Sequence, residues 1–442
     1  MNIAEHVHEM SYNHLPEDVR GQARRCLLDT LGTAIGGRST DLSRIIYDFA
    51  VSVYGGQGAY LWLDGREVSP PGAALANAMT IDSLDIHDGY TRVKGHAGAA
   101  LVPSLLATLA LNHGAKVSGQ EFLTTLVIGY EVALRAGLAL HATACDYHTS
   151  GAWNALGCAA MTARRLGLST EQTRHALGIA EYHGPRSQMM RCIDHPTMLK
   201  DGSGWGAMTG VSAALLARNG FTGAPALTLE SSEVAEIWAD LGRKWLITDQ
   251  NFKRYAVCHW AQPAITGTLA LQQAHDFPLE VIKQIRVFTF HEATRLACRH
   301  PQTTEEAQYS LPFPVAAALV HHELGLEELS GAALNDPLIL SLSDRVELVE
   351  ESAFNIRFPV EQLARVQIET IEGAILDSGE VQAPWEATTP PTDAELQRKF
   401  RWLARSSLSQ SRAAALEEMI WQCASLTDAA ALITLLAPPQ EE

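Results

Sequence analysis

Apolar residues along the first three-fifths of the chain mostly return at three- and four-residue steps, the period of a helix with one buried face. Val19, Ala23, Cys26, Leu27, Leu31 and Ala34 do so after Pro16-Glu17-Asp18, a helix-start signal, and Gly36-Gly37 ends the run. Ser118-Gly119-Gln120-Glu121 has the capping-box pattern and opens a long apolar run to Leu140. A third helix is predicted over 151–166, stopped by Gly167. Ser169-Thr170-Glu171-Gln172 is a second capping box, and a helix over 211–219 closes at Gly220. Alanine and glycine are dense throughout, so the helices can pack closely. No internal repeat is visible.

The pattern changes near residue 250. Residues 281–290 partly alternate and are rich in β-branched side chains, as a strand requires; 345–349 and 364–370 read the same way. Gly373 and Gly379 are read as turns around a further short strand. Thr392-Asp393-Ala394-Glu395 opens a helical tail that runs to about Leu436 and is expected to return to the first part of the chain. Pro438 to Glu442 is expected to fray. The fold class that results is mainly α. A large helical domain (1–254 and 391–442) would carry a smaller α+β domain (255–390).

Composition narrows the function. At 442 residues the chain exceeds one ordinary core. The formal net charge of −17 disfavours nucleic acid and anionic membranes, both of which need a basic face. It also means that an anionic substrate must be captured by a local cluster of cations. The apolar stretches are broken by Gly, Pro or charges, so no membrane span is expected. Seven scattered cysteines without a C-x-x-C, and a start lacking a signal pattern, fit a reducing cytoplasm.

Four clusters bring ionisable and small residues together. The first runs from Asp82 through Asp85, His87 and Asp88 to Tyr90, Arg92, Lys94 and Gly95-His96-Ala97-Gly98. An acid beside an imidazole is how a general base is oriented, although the same stretch reads as a helix cap and a solvated loop. The second is Asp146-Tyr147-His148-Thr149-Ser150-Gly151, where His148 precedes a helix N-terminus that favours anions. There Thr149 or Ser150 serves equally well as a plain N-cap. The third is Lys200, on the bed Asp201-Gly202-Ser203-Gly204-Trp205-Gly206, with His183, Arg186, Arg191 and His195 upstream. It reads either as a pocket floor with one fixed cation or as a lysine in a mobile glycine loop. Arg186 follows a Gly-Pro turn and could hold a carboxylate in two-point fashion. The fourth is Asn251-Phe252-Lys253-Arg254 to Cys258-His259-Trp260, at the compositional seam where clefts commonly form; an ordinary linker has the same look. Cys258 reads as a buried, inert thiol. No phosphate loop follows a strand, no G-x-S-x-G elbow occurs, and no histidine pair has flanking metal ligands. Acid–base chemistry without cofactor or metal remains.

In their order these clusters resemble the MmgE/PrpD family, which includes 2-methylcitrate dehydratase, cis-aconitate decarboxylase and iminodisuccinate epimerase. Ser83-Leu84-Asp85-Ile86-His87-Asp88 resembles the family's A-L-D-F-D-D, and Gly95-His96-Ala97-Gly98 its G-H-P-G. Gly129 to Arg135 resembles G-Y-E-V-x-x-R, Thr197 to Ser203 the lysine motif, Gly220 to Pro225 G-F-T-G-P, and Glu306 to Phe313 E-A-K-F-S-L-P-Y. The resemblance implies a helical domain built from both chain ends, an α+β lid, a homodimer, and a site between domain and lid. By motif position it places Asp85, His96, His148 and Lys200 as catalytic and Lys253 as substrate-binding; Arg186, Tyr147 and His259 join the binding set from the clusters. An Asp or His would take a proton from the carbon next to a carboxylate, while the lysines hold carboxylates and steady the enolate-like charge. The expected activity is a dehydratase-like lyase on a small di- or tricarboxylate. An epimerase shares the first step, and a non-catalytic binder is the reading from another class. Ala97 replaces the motif proline, 89–94 differ, Phe313 stands at a tyrosine position, and Cys258-His259 is unusual, so the substrate stays open.

Overall fold

The computed structural model describes residues 3–111 and 115–438 and is mainly helical. Pro439 to Glu442, of the stretch expected to fray, lie outside the described residues. The helix Glu17–Gly37 forms where the pattern predicts it, with Glu17 and Asp18 in its first turn, and buries Val19, Ala23, Cys26, Leu27 and Leu31. It passes so close to the helix Pro70–Asp82 that a β-carbon on Gly37 would lie 2.2 Å from the Thr80 carbonyl oxygen. The helix Gly151–Leu166 ends on Gly167 at a φ of 63°. Thr170–His183 opens with the full reciprocal box of Ser169 and Gln172. The box at Ser118 is half made. Its hydroxyl accepts from Glu121 N, but the Glu121 carboxylate turns away to Arg164 Nε at 2.7 Å.

Two expectations about the helices change. The helix Gly119–Thr143 is, by length and composition, apolar enough to cross a membrane. Of its most apolar 18-residue window, 94% is nevertheless buried inside the fold, so it is a core helix here. The helix expected over 211–219 is Ser203–Arg218 and starts straight after Gly202. Its glycines mark contact with Gly151–Leu166 and not a loop. A β-carbon on Gly206 would meet the Gly151 carbonyl oxygen at 2.4 Å, and one on Gly210 the Ala155 carbonyl oxygen at 2.4 Å.

Short strands β1 (Ala59–Tyr60) and β2 (Glu67–Val68) pair antiparallel. Strands β3 (Ile282–Thr289), β4 (Val346–Glu350), β5 (Leu363–Thr370) and β6 (Ile375–Gln382) form a mixed sheet in the order β4-β3-β5-β6. The β3–β4 pair is parallel and the others antiparallel. Gly373 turns the β5–β6 hairpin. Gly379 does not mark a turn: it lies within β6 at a φ of 64°, where the register with β5 shifts, because a bulge needs a left-handed residue. The helix Gln262–His275 covers β5 and β6.

The tail is helical to Leu435, as expected, in successive short helices. Asp393–Ala404 starts from a reciprocal Thr392–Glu395 box and packs on Glu17–Gly37, and Gln410–Trp421 and Ala431–Leu435 follow. One apolar cluster joins residues of the first half to Leu396, Phe400, Leu416 and Ile420 of the tail. A second gathers the sheet and its helices, with Leu84, Ile86 and Leu403. The candidate site lies where the two meet.

Candidate active site

The segment between the helices Pro70–Asp82 and Gly98–Ala107 forms one wall. Asp85 sits in left-handed backbone at a φ of 51°, which turns the chain under itself. Lys253, fully buried, clamps that turn: its Nζ donates to Asp85 Oδ1 at 2.5 Å and to the Asp85 carbonyl at 2.9 Å. Gly89 and Asn251 exchange backbone hydrogen bonds of 2.8 and 2.9 Å, which stitches the two distant segments together. Tyr90 then pairs with Gly95 around a short turn, and this hairpin aims Lys94 and His96 inward. The His96 backbone is fixed on both sides. Its N–H donates to Ser150 Oγ at 2.8 Å, and its carbonyl accepts from Asn154 at 2.8 Å. Ser150 in turn donates to the Asp201 carboxylate.

His96 Nδ1 lies 2.6 Å from the Asp88 carbonyl. A carbonyl only accepts, so Nδ1 carries the proton and Nε2 keeps a free lone pair. That nitrogen is 4.0 Å from Asp85 Oδ1. Burial, followed by the Lys253 charge, pushes the His96 pKa well below the ordinary range, so the ring is neutral at neutral pH. His87, its centroid 4.5 Å from that of His96, is pushed down to about 3 for the same reasons.

The acids nearby diverge. Burial opposes ionisation of Asp85, but the Lys253 charge, with that of Lys200, overcomes it and holds its carboxyl below the usual value. Burial raises Asp82 to about 6 and Asp88, which accepts from Tyr130 at 2.7 Å, to about 7. Asp201, buried with Asp82 and Asp85 nearby, rises to about 8 and holds its proton at neutral pH. One ionised carboxylate, one free imidazole nitrogen and one protonated carboxyl thus share a small region, which is how a protein separates base from acid.

Asp85, His96, Lys253 and His259 line one narrow cleft of about 50 Å³, together with Lys94, Asn251, Asp201, Tyr309 and others. Lys200 stands just behind the wall. It donates to Gln308 Oε1, and its Nζ is 5.3 Å from the ring centre of Tyr309. Tyr147 supports Lys94 from below, the ammonium lying 3.8 Å from its ring centre. His183, Arg191 and His195 of the third cluster are exposed and away from this cleft, and two of the candidate site residues are not brought to it either. His148 pairs with Asp146 at 3.2 Å and borders His141, and Arg186 is exposed; neither lines the cavity. The His148 side chain is mostly buried, and its backbone joins Gln188 in an antiparallel bridge. Phe313 is fully buried in the second apolar cluster, whereas Tyr309 brings a phenol to the wall.

Other participants escape the sequence. Glu386 Oε1 lies 2.6 Å from His259 Nε2, 127 positions away in the chain, and Thr91 donates to its other oxygen at 3.2 Å. Nothing in its Pro- and Thr-rich loop marks it. Gln308 and Tyr309 lie in the Glu306 to Phe313 stretch, where the residue types gave no role. Asp85, His87 and His96 offer ligand atoms within 4.8 Å of one another, a spacing that suits a cation. The Lys253 ammonium already occupies Asp85 Oδ1, however, and the surrounding lysines that depress both histidines would repel a dication.

Comparison with known proteins covers the whole architecture. The MmgE/PrpD N-terminal domain matches residues 1–238 and the MmgE/PrpD C-terminal domain residues 255–424. Human cis-aconitate decarboxylase is 26% identical, over 99% of this chain and 94% of its own length. The cis-aconitate decarboxylase-like protein oryM of Aspergillus oryzae is 24% identical, over 98% of this chain and 95% of its own. Cis-aconitate decarboxylase of Aspergillus terreus is 22% identical, over 97% and 94%.

Proposed function

Because the chain belongs to the MmgE/PrpD family, we propose that its cleft is the active site of a lyase that acts on a small polycarboxylate without a cofactor. The observation that carries this reading is the free Nε2 of His96, set 4.0 Å from an Asp85 carboxylate that Lys253 keeps ionised. A neutral imidazole beside a fixed carboxylate is suited to take a proton from carbon. The Lys253 and Lys200 charges stabilise the electron pair left behind as it spreads onto the neighbouring carboxylate. The same charges suit a carbanion formed in another way. If the C–C bond to a carboxyl group breaks, CO2 leaves, the pair delocalises in the same manner, and carbon then needs a proton. Asp201, which keeps its proton near neutrality and lines the cleft, is placed to give one.

Loss of CO2 is the outcome that the relatives' names favour, and loss of water, expected from the sequence pattern, shares the charge-stabilised state. Every group invoked comes from the chain, which supports a reaction without an added cofactor. A panel of di- and tricarboxylates, beginning with cis-aconitate, incubated in heavy water and followed by NMR with CO2 detection, tests the reading. The expected result is cleavage of at least one acid with deuterium entering the product. A proton exchanged with inversion and no cleavage would select an epimerase. Binding without exchange or cleavage of any acid would overturn the enzyme reading in favour of a binder.

A further inference from the structure

Three lysines surround the cleft, and their partners differ. Lys253 is spent on Asp85, and Lys200 on Gln308. Lys94 lines the cavity and forms no ion pair among the described residues. Its Nζ rests 3.8 Å from the centre of the Tyr147 ring, a platform that orients an ammonium without neutralising it. Its backbone is left-handed, with a φ of 53°, a conformation in which a lysine is uncommon and asparagine or glycine is at ease. The turn is fixed by Lys94 N donating to Thr91 O at 3.1 Å and by Tyr90 N donating to Gly95 O at 2.8 Å. The structure therefore holds a half-buried ammonium toward a cavity with its donors free, in a chain whose formal net charge is −17. Burial lowers its pKa to about 8, against the pull of Glu292, so the cation is costly to keep unpaired and gains from an anion.

We infer that Lys94 is a specificity-determining residue that pairs with the substrate carboxylate farthest from the reacting carbon. The cleft then selects a diacid over the corresponding monoamide. This rests on the polycarboxylate reading above and adds which side chain reads the second acid group. Lys253 and Lys200 act on charge at the reacting end, and Lys94 measures the length of the molecule.

The experiment measures binding, not turnover, so it stands apart from the chemistry. Succinate, glutarate and tricarballylate, with a monoamide of each, are titrated calorimetrically against the intact chain and against Lys94→Asn and Lys94→Arg. Asparagine suits the left-handed turn, and thermal melting verifies that both variants fold. The expected result is that the intact chain binds at least one polyacid about 30-fold or more tightly than its monoamide. In Lys94→Asn the two bind within about threefold of each other, and Lys94→Arg keeps part of the preference. A preference that survives unchanged in folded Lys94→Asn overturns the inference while the polycarboxylate reading stands. If the intact chain binds none of the acids, the polycarboxylate reading itself falls, and this inference with it.

Discussion

Replacing Lys253 with methionine isolates the charge balance at the cleft floor. The ammonium lies 2.5 Å from Asp85 Oδ1, and neither side chain has appreciable contact with water. At an effective dielectric near 20, two unit charges at that separation attract by about 7 kcal/mol, offset by the cost of removing both from water. Deleting one partner strands the other, and a stranded buried charge costs about 3–5 kcal/mol. A second route to the magnitude agrees. In Lys253→Met the Asp85 carboxyl, no longer held down, can escape its charge by taking a proton. Raising its pKa from the ordinary carboxylate value to the solution pH costs about 1.4 kcal/mol per pH unit, so the penalty is capped at roughly 4 kcal/mol at pH 7 and under about 2 kcal/mol at pH 5. The sign follows. In the parent, Asp85 is depressed and already ionised across this range, so its contribution is flat there and is lost only as pH falls through its folded pKa. In the variant the folded pKa is raised, so stability falls as pH rises. The gap between the two widens from pH 5 to 7. Urea unfolding midpoints, followed by tryptophan fluorescence and circular dichroism at several pH values, measure it. Asp85→Asn with Lys253→Met removes both charges and is expected to recover most of the loss and its pH dependence. A gap below about 1 kcal/mol at pH 7, a gap that does not change with pH, or a double variant no better than the single would refute the reasoning.

His96→Gln removes the free imidazole nitrogen and is expected to lower turnover about 10²–10⁴-fold, the usual worth of a general base; a loss below about tenfold in steady-state assays counts against that role. Asp201→Asn abolishes a carboxyl whose folded pKa, about 8, stands above its unfolded value, so the parent loses stability as pH rises toward 8. The variant is expected to melt higher than the parent at pH 8 and about equally at pH 4, and equal shifts at both would contradict this. Glu386→Ala frees His259 from its 2.6 Å hydrogen bond and is expected to cut kcat/KM about tenfold, equivalent to about 1.4 kcal/mol of lost transition-state stabilisation. An effect under twofold would remove His259 from the working site.

Much of this was legible in the residues, and the failures have physical causes. Apolar runs and start signals found Glu17–Gly37, Gly119–Thr143 and Gly151–Leu166, although most of their positions are buried on every side. They missed the start of Ser203–Arg218, since glycine for close helix contact and glycine for a loop look alike until the partner helix is in place. The bulge at Gly379 was misread for the same reason. Asp85 and His96 were named from their turn-prone, small-residue setting and motif position, Lys253 from motif position and His259 from the compositional seam, and the fold gathers all four at one cleft. His148 has the same local look, yet it does not line the cleft and pairs instead with Asp146. Lys94 was visible as a member of the first cluster, without a role of its own. Glu386 was not visible at all, because its partnership with His259 depends on how a distant loop packs.

The most direct test of the central claim is a crystal structure of the chain with tricarballylate bound. The account predicts the acid in the cleft formed by Asp85, His96, Lys253 and Lys94, with one carboxylate toward the Lys253 side, another on Lys94, and a carbon facing His96 Nε2. Tricarballylate bound elsewhere on the molecule, with this cleft filled only by solvent at saturating ligand, would contradict it.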